Sequence, residues 1–320
     1  MIKRPDAPWQ LKTDLVTPKT DYLNRRQIMA GGASMVAASS LAAPALGQTS
    51  GPGENPALNA RATRYTLSDD LTPYDAVTGY NNFYEFGLGK DDPARHAHRM
   101  TTDNWSIEVE GLAERPGSYS LDDLIDQDAL EERIYRLRCV EAWSMVIPWI
   151  GVPLADVLRR FEPSSTARYV QFFTYQNILE MPGTRFPVLD WPYREGLRMD
   201  EAMNELAFLA VGLYGEVLPN QNGAPIRLVV PWKYGYKSIK SIDRIVFTDT
   251  QPETSWNQSA PREYGFYSNV NPNRAHPRWS QASERVIGGG LFARRETEMF
   301  NGYEAQVASL YDGMDLIRNH

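Results

Sequence analysis

The sequence predicts an α+β fold, a mixed sheet with short helices and long irregular loops. Three observations carry that expectation. Strand-like and helix-like patterns both occur but do not alternate regularly, which argues against a doubly wound parallel sheet. The 22 prolines and 23 glycines punctuate the 320 residues so often that long loops must be ordered by packing. No internal repeat is visible, so a solenoid or propeller is excluded.

Trp105, Ile107 and Val109 alternate with Ser106, Glu108 and Glu110, the period of a half-buried strand, which ends at Gly111. Ser120 is placed to cap a short helix whose apolar residues are Leu121, Leu124 and Ile125. Behind Pro153, the residues Leu154, Val157, Leu158 and Phe161 fall on one helical face. A third helix is expected from Asp200 to about Leu209, and strands over Tyr169–Tyr175, Ile226–Val230 and Ile239–Thr248.

Composition is that of a packed chain: 42% hydrophobic, 23% charged and 11% aromatic, with a mean hydropathy of −0.46. The single cysteine, Cys139, excludes an internal disulfide, a Cys-rich zinc site and a protein-ligated iron–sulfur cluster. Residues 1–47 hold six basic and three acidic side chains, leaving the remainder at a net −10. So acidic a body is unsuited to phosphate backbones, and no nucleic-acid partner is expected. The sequence also contains no GxGxxG, Walker A, HExxH or GxSxG pattern.

The N-terminal segment reads as an export signal. Asn24-Arg25-Arg26-Gln27-Ile28-Met29 opens an apolar stretch running to Leu46, with small residues Ala45 and Gly47 near its end. Paired arginines before a weakly apolar region point to the twin-arginine translocase and the periplasm, although Asn24 and Ile28 depart from the usual Ser/Thr and Phe. Residues 48–64, rich in turn formers, are expected to be a tether, and 65–320 a single catalytic domain.

Three stretches carry candidate chemistry. In Arg133 to Ser144, a strand would place Tyr135, Leu137, Cys139 and Glu141 on one face and Arg136 and Arg138 on the other. Cys139 is then either a small buried hydrophobe or, with arginines nearby, a thiolate suited to a redox metal. Tyr80 to Gly87 (Tyr-Asn-Asn-Phe-Tyr-Glu-Phe-Gly) is either a loop packed by its own rings or one that holds a heterocycle through its amides. Asn220 to Lys240 clusters Arg227, Lys233, Lys237 and Lys240, which suits either a solvated face or a phosphate cradle. His96-Ala97-His98 has ligand-like spacing but no third ligand, and an exposed loop is expected there.

Taken together, Tyr80–Gly87, Arg138–Met145, Asn222–Lys240, Glu263–Pro272 and His276–Ala282, with the paired arginines, resemble the catalytic subunits of periplasmic protein-methionine-sulfoxide reductases. That resemblance implies a sulfite-oxidase-type molybdopterin-binding fold with one pterin per molybdenum. It implies Cys139 as the thiolate ligand to the metal. Asn81, Tyr84, Glu85, Thr174, Asn222, Arg227 and the Ser238-Ile239-Lys240 segment would hold the pterin and its phosphate. Glu141 and Asn82 would handle protons or orient the ligand.

The implied reaction moves a sulfoxide oxygen to reduced molybdenum and releases the thioether; two electrons then return the metal to its reduced state, and two protons release that oxygen as water. The implied partners are oxidised periplasmic proteins as substrates and a haem-containing membrane subunit drawing on the quinone pool. Two alternatives stand beside this: a sulfite-oxidising dehydrogenase with a cationic pocket that Arg136 and Arg138 could build, and an exported metal-free binding module. Glu180 to Pro192 is compact where the family often has a longer glycine-rich insertion, which bears on the cleft rim.

Overall fold

A computed structural model describes residues 55–290 and 292–320. Thirteen strands form two sheets among these residues. The smaller sheet has five strands in the order β3-β2-β11-β6-β7: β2 (Ser106–Gly111), β3 (Gly117–Ser120), β6 (Tyr169–Thr174), β7 (Arg194–Arg198) and β11 (Ile242–Thr248). These strands follow the alternation in the sequence. Ile107 and Val109 of β2, Val170 and Phe172 of β6, and Ile245 and Phe247 of β11 are all buried.

The larger sheet is built on a long hairpin of β4 (Glu131–Cys139) and β5 (Trp143–Pro153). The outer edge of β4 carries β1 (Arg61–Ala62) in parallel. The far edge of β5 is shared. Its first residues pair with β12 (Ser283–Val286), which continues to β13 (Arg294–Glu296), and its last pair with β8 (Phe208–Leu213). Two short strands, β9 (Glu216–Val217) and β10 (Arg227–Val229), flank β8.

The helices are short. Ser120 caps Leu121–Leu124 with a full capping box, as the sequence indicated. Leu154–Arg160 buries Leu154, Val157 and Leu158, each contributing about 1.5–3 kcal/mol by removal from water. Among the described residues, no helix is long and apolar enough to cross a membrane.

Two expectations need correction. The helix from Asp200 to Leu209 stops after Met199–Ala202, and Phe208 begins β8 instead. Local propensity favours helix through Met203-Asn204-Glu205-Leu206, but pairing of Phe208–Leu213 with β5 and β10 overrides it. The tether also ends early. The Val217 backbone N–H donates to the Pro56 carbonyl at 2.9 Å, Leu58 N–H to Gly215 at 2.8 Å, and Arg61–Ala62 joins the sheet. The signal segment and residues 48–54 lie outside the described residues.

The two sheets are linked by residues 230–241, which leave β10 in one sheet and enter β11 in the other. That connection, the turn of the β4–β5 hairpin and the loop after Tyr80 converge on one cleft.

Candidate active site

The cleft encloses about 1000 Å³ of non-protein space, counted out to its open mouth. Of the site residues expected from sequence, Asn81, Asn82, Tyr84, Glu85, Cys139, Glu141, Thr174, Asn222, Arg227, Ile239 and Lys240 all line it. They come from five separate segments. Ser238 is the exception. Its hydroxyl accepts from the Val230 N–H at 3.1 Å and its carbonyl accepts from Arg227 at 3.1 Å, so it shapes the cradle without facing it.

Cys139 is the last residue of β4 and is 6% exposed. The turn that follows is tight: Ala142 N–H donates to the Cys139 carbonyl at 3.1 Å, and Ala142 has φ +61°. Strand alternation sends Leu137 and Cys139 into the cleft and Arg136 and Arg138 away from it. Arg138 is fully buried on Glu284 at 2.6 Å, and Arg136 pairs with Asp69 at 2.5 Å and Glu298 at 2.9 Å. Both arginines are engaged by carboxylates outside the cleft, so they build no cationic substrate pocket, and the sulfite-oxidising alternative loses the residues that kept it open. Burial first, then the charge of Glu141, push the thiol up to about 12. Lys90 and Arg138 pull the other way but are outweighed, so Cys139 is a thiol at neutral pH.

Around the sulfur lies a small polar network. The Asn82 side-chain N–H₂ is 3.5 Å from Cys139 Sγ and 3.3 Å from Glu141 Oε2. Glu141 Oε2 also accepts from Trp143 Nε1 at 3.1 Å and from Lys90 Nζ at 2.5 Å. Burial raises the Glu141 carboxyl, but Lys90 and these hydrogen bonds outweigh it, and the group is held below its ordinary range. Lys90 has no place in the sequence motifs. Its only signal there is a basic side chain set among Gly87, Gly89, Asp91 and Asp92.

The inner end of the cleft is a cradle. Asn222 donates to the Val77 carbonyl at 3.0 Å and to Asn81 Oδ1 at 3.3 Å, which ties the 220–223 turn to the loop after Tyr80. Gly223, at φ +105°, lets the Lys240 segment close on that turn, since a Cβ there would stand 2.8 Å from Lys240 Cβ. Thr174 donates its hydroxyl to the Lys240 carbonyl at 2.9 Å. Arg227 lies over the Trp149 ring and is held by the Asn222 and Ser238 carbonyls, with no carboxylate beside it. Burial pulls its guanidinium down to about 9, which still leaves a cation at neutral pH. Burial likewise lowers Lys240 and raises Glu85. Lys233 and Lys237, grouped with these cations in the sequence, are fully buried on Glu201 and Glu195 instead, each at 2.6 Å, and do not line the cleft.

Residues 94–256 match a family model described as an oxidoreductase molybdopterin binding domain. Curated relatives named protein-methionine-sulfoxide reductase catalytic subunit MsrP, from Ralstonia nicotianae and Burkholderia mallei, are 56% and 54% identical over 310 and 308 residues. Each alignment covers 94% of this chain and 93% of the relative. This chain belongs to the MsrP catalytic-subunit family. The solved sulfane dehydrogenase SoxCD of Paracoccus pantotrophus aligns over 73% of this chain and 60% of its own, at 15% identity and a TM-score of 0.44.

The MsrP-type cleft fits a molybdopterin on its own chemistry. Two buried atoms of its lining residues, Asn222 Oδ1 and Trp149 Nε1, have no hydrogen-bond partner, one acceptor and one donor. A heterocycle with mixed edges satisfies such a pair. Arg227 and Lys240 supply charge for a phosphate. Cys139 offers one soft ligand, and coordination to a metal deprotonates a thiol that burial otherwise protonates. Membership of a molybdopterin-binding family also removes the metal-free binding module as a reading. His96 and His98 sit on the short helix Asp92–His96 and the turn after it, where a loop was expected. Among the described residues, no cluster of three or more His, Cys, Asp or Glu side chains is placed to hold a metal.

Proposed function

We propose that this chain reduces methionine sulfoxide residues of exported proteins at a molybdenum–pterin centre held in the cleft. The observation that carries the reading is the pairing of one buried thiol with a cradle whose cations, Arg227 and Lys240, make no direct ion pair, in a chain 56% identical to a named sulfoxide reductase. Cys139 holds the metal through sulfur. Arg227 and Lys240 neutralise the pterin phosphate, and Asn81, Tyr84, Glu85, Thr174, Asn222 and Ile239 enclose the ring.

When bound, the centre supplies acceptance of the sulfoxide oxygen and exchange of two electrons. The chain supplies the rest. Tyr84, Trp256 and Tyr264 form a wall of mutually packed rings, at centroid separations of 5.6 and 4.8 Å, against which a thioether packs well. The Lys90–Glu141 pair lies at the half-exposed side of the network, where the two protons needed to release water can enter through Lys90 Nζ and Glu141 Oε2.

The paired arginines at 25–26 support export in folded form by the twin-arginine route to the periplasm. The relatives are named catalytic subunits, which supports a separate electron-donating partner, here taken to be a haem-containing membrane subunit fed by the quinone pool.

The test is molybdenum analysis of purified protein and of Cys139→Ala, with turnover of an oxidised protein and of sulfite measured side by side. Stoichiometric molybdenum in the wild type, with sulfoxide turnover abolished in the variant, is the expected result. Folded wild-type protein without molybdenum, or turnover of sulfite in preference to sulfoxide, overturns it.

A further inference from the structure

Lys90 belongs to none of the recognisable motifs, yet its ammonium joins Asn82, whose amide N–H₂ is 3.5 Å from the Cys139 sulfur, to the Glu141 carboxylate. It donates to Asn82 Oδ1 and, at 2.5 Å, to Glu141 Oε2. Its backbone is fixed as well. The Lys90 carbonyl accepts from Asn81 N–H at 2.8 Å, which closes the loop, and Gly89 N–H is bound by Asp92 at 2.7 Å.

We propose that Lys90 is a positioning residue for the Cys139 thiolate: it fixes the Asn82 side-chain amide so that the N–H₂ end, and not the carbonyl end, faces the sulfur. An asparagine amide is nearly symmetric in shape and can turn either end toward a neighbour. An ammonium has three donors and no acceptor, so it accepts only the oxygen end of the amide beside it. With Oδ1 held by Lys90, Nδ2 must point the other way, where Cys139 Sγ and Glu141 Oε2 stand at 3.5 and 3.3 Å. Glu141 reinforces the choice, because a carboxylate would repel the carbonyl end. Lys90 also offsets the Glu141 charge, which otherwise faces an anionic sulfur.

The inference rests on the molybdenum reading, since the amide matters to function only if the sulfur is a ligand. A hydrogen bond to a ligating sulfur draws electron density from it and raises the reduction potential of the metal, as does a less negative surrounding charge.

The experiment uses the molybdenum-loaded enzyme and reads the principal g-values of its Mo(V) signal and the midpoint potential of the centre, not turnover. Lys90→Met, in an otherwise wild-type chain, is expected to move the g-values and lower the potential, while Lys90→Arg keeps both near wild type. In an Asn82→Ala background the same Lys90→Met change should produce a much smaller shift, because the amide it orients is gone. A wild-type spectrum for Lys90→Met overturns the proposal. So does a shift undiminished in the Asn82→Ala background, which would mean that Lys90 acts through charge alone. Both readouts report only loaded molecules, so partial loss of cofactor does not blur them. Absence of molybdenum from the wild type would be seen before any variant is made, and it would remove the functional reading together with this one.

Discussion

Lys233 and Lys237 are buried against glutamates of their own, whereas Arg227 and Lys240, in the same short stretch of sequence, are not. Lys233 Nζ meets Glu201 at 2.6 Å, Tyr267 and Asn269 oxygens at 2.8 and 2.9 Å and Tyr311 at 3.1 Å, which uses every proton it has. Lys240 instead lies over the Phe83 ring and feels Glu85 only at longer range. A buried cation with its own carboxylate is complete within the fold. One without a carboxylate ion pair stays under a desolvation penalty until an anion arrives, and among the described residues Arg227 and Lys240, which have none, both line the cleft.

The largest expected effect tests the completed pair. Lys233→Met strands Glu201 without its cation and should cost about 3–5 kcal/mol of stability, read by denaturant titration. Adding Glu201→Gln should recover much of it. If Lys233→Met proves neutral, the comparison breaks at its first term.

Next comes the incomplete side. Lys240→Met should leave the cofactor-free protein as stable as wild type or more so, while weakening pterin retention by about 10-fold or more, the value of one hydrogen bond to a charged group. Thermal melts of the cofactor-free protein and molybdenum content after dialysis check both halves. A cofactor-free protein that loses stability would show that Lys240 has a partner within the fold after all.

A carboxyl extends the same logic to the opposite sign. Burial pushes Asp243 up to about 6, outweighing the pull of Arg244 the other way. A carboxyl whose affinity for its proton is higher folded than unfolded makes stability fall as pH rises, here between about pH 4 and pH 6, with the loss persisting above. Asp243→Asn should therefore gain about 1–2 kcal/mol at pH 7.5 and nothing below about pH 4. Melts at the two pH values decide it, and an equal gain at both would assign the effect to packing.

The smallest effect is the control. Arg159 and Asp156 are each 62% exposed and 2.7 Å apart, so Arg159→Ala should change stability by less than about 0.5 kcal/mol.

Why the lysines could not be sorted from the sequence is a matter of distance along the chain. Glu201 lies 32 residues from Lys233 and Glu195 lies 42 from Lys237, and no local spacing announces either pair. The same holds for strands. β2, β6 and β11 have one face buried more than the other and betray themselves by alternation. β5 is buried along nearly its whole length and β8 throughout, so neither has a polar face to set a period. Cys139, the loop after Tyr80 and the Asn222–Arg227 turn were legible because each is a compact run of unusual residues. The walls from Trp149, Tyr193, Trp256 and Tyr264 were not, because each arrives singly on a different element. Lys90 was missed for a related reason: its two contacts lie 8 and 51 residues away.

The clamp on the cysteine turn also orders events in time. The Val140 carbonyl accepts from Trp279 at 2.8 Å and from Gln281 at 2.7 Å, while Arg138, which grips the Cys139 carbonyl, is itself held by Glu284 and Thr297. Cys139 is therefore seated by residues synthesised 139 to 159 positions after their partners. A chain still emerging from the ribosome carries the cysteine long before it carries the means to hold it in place. The seat is complete only once the chain has passed Thr297, and a truncation that spares every cleft residue but removes the last 45 would leave the sulfur without it.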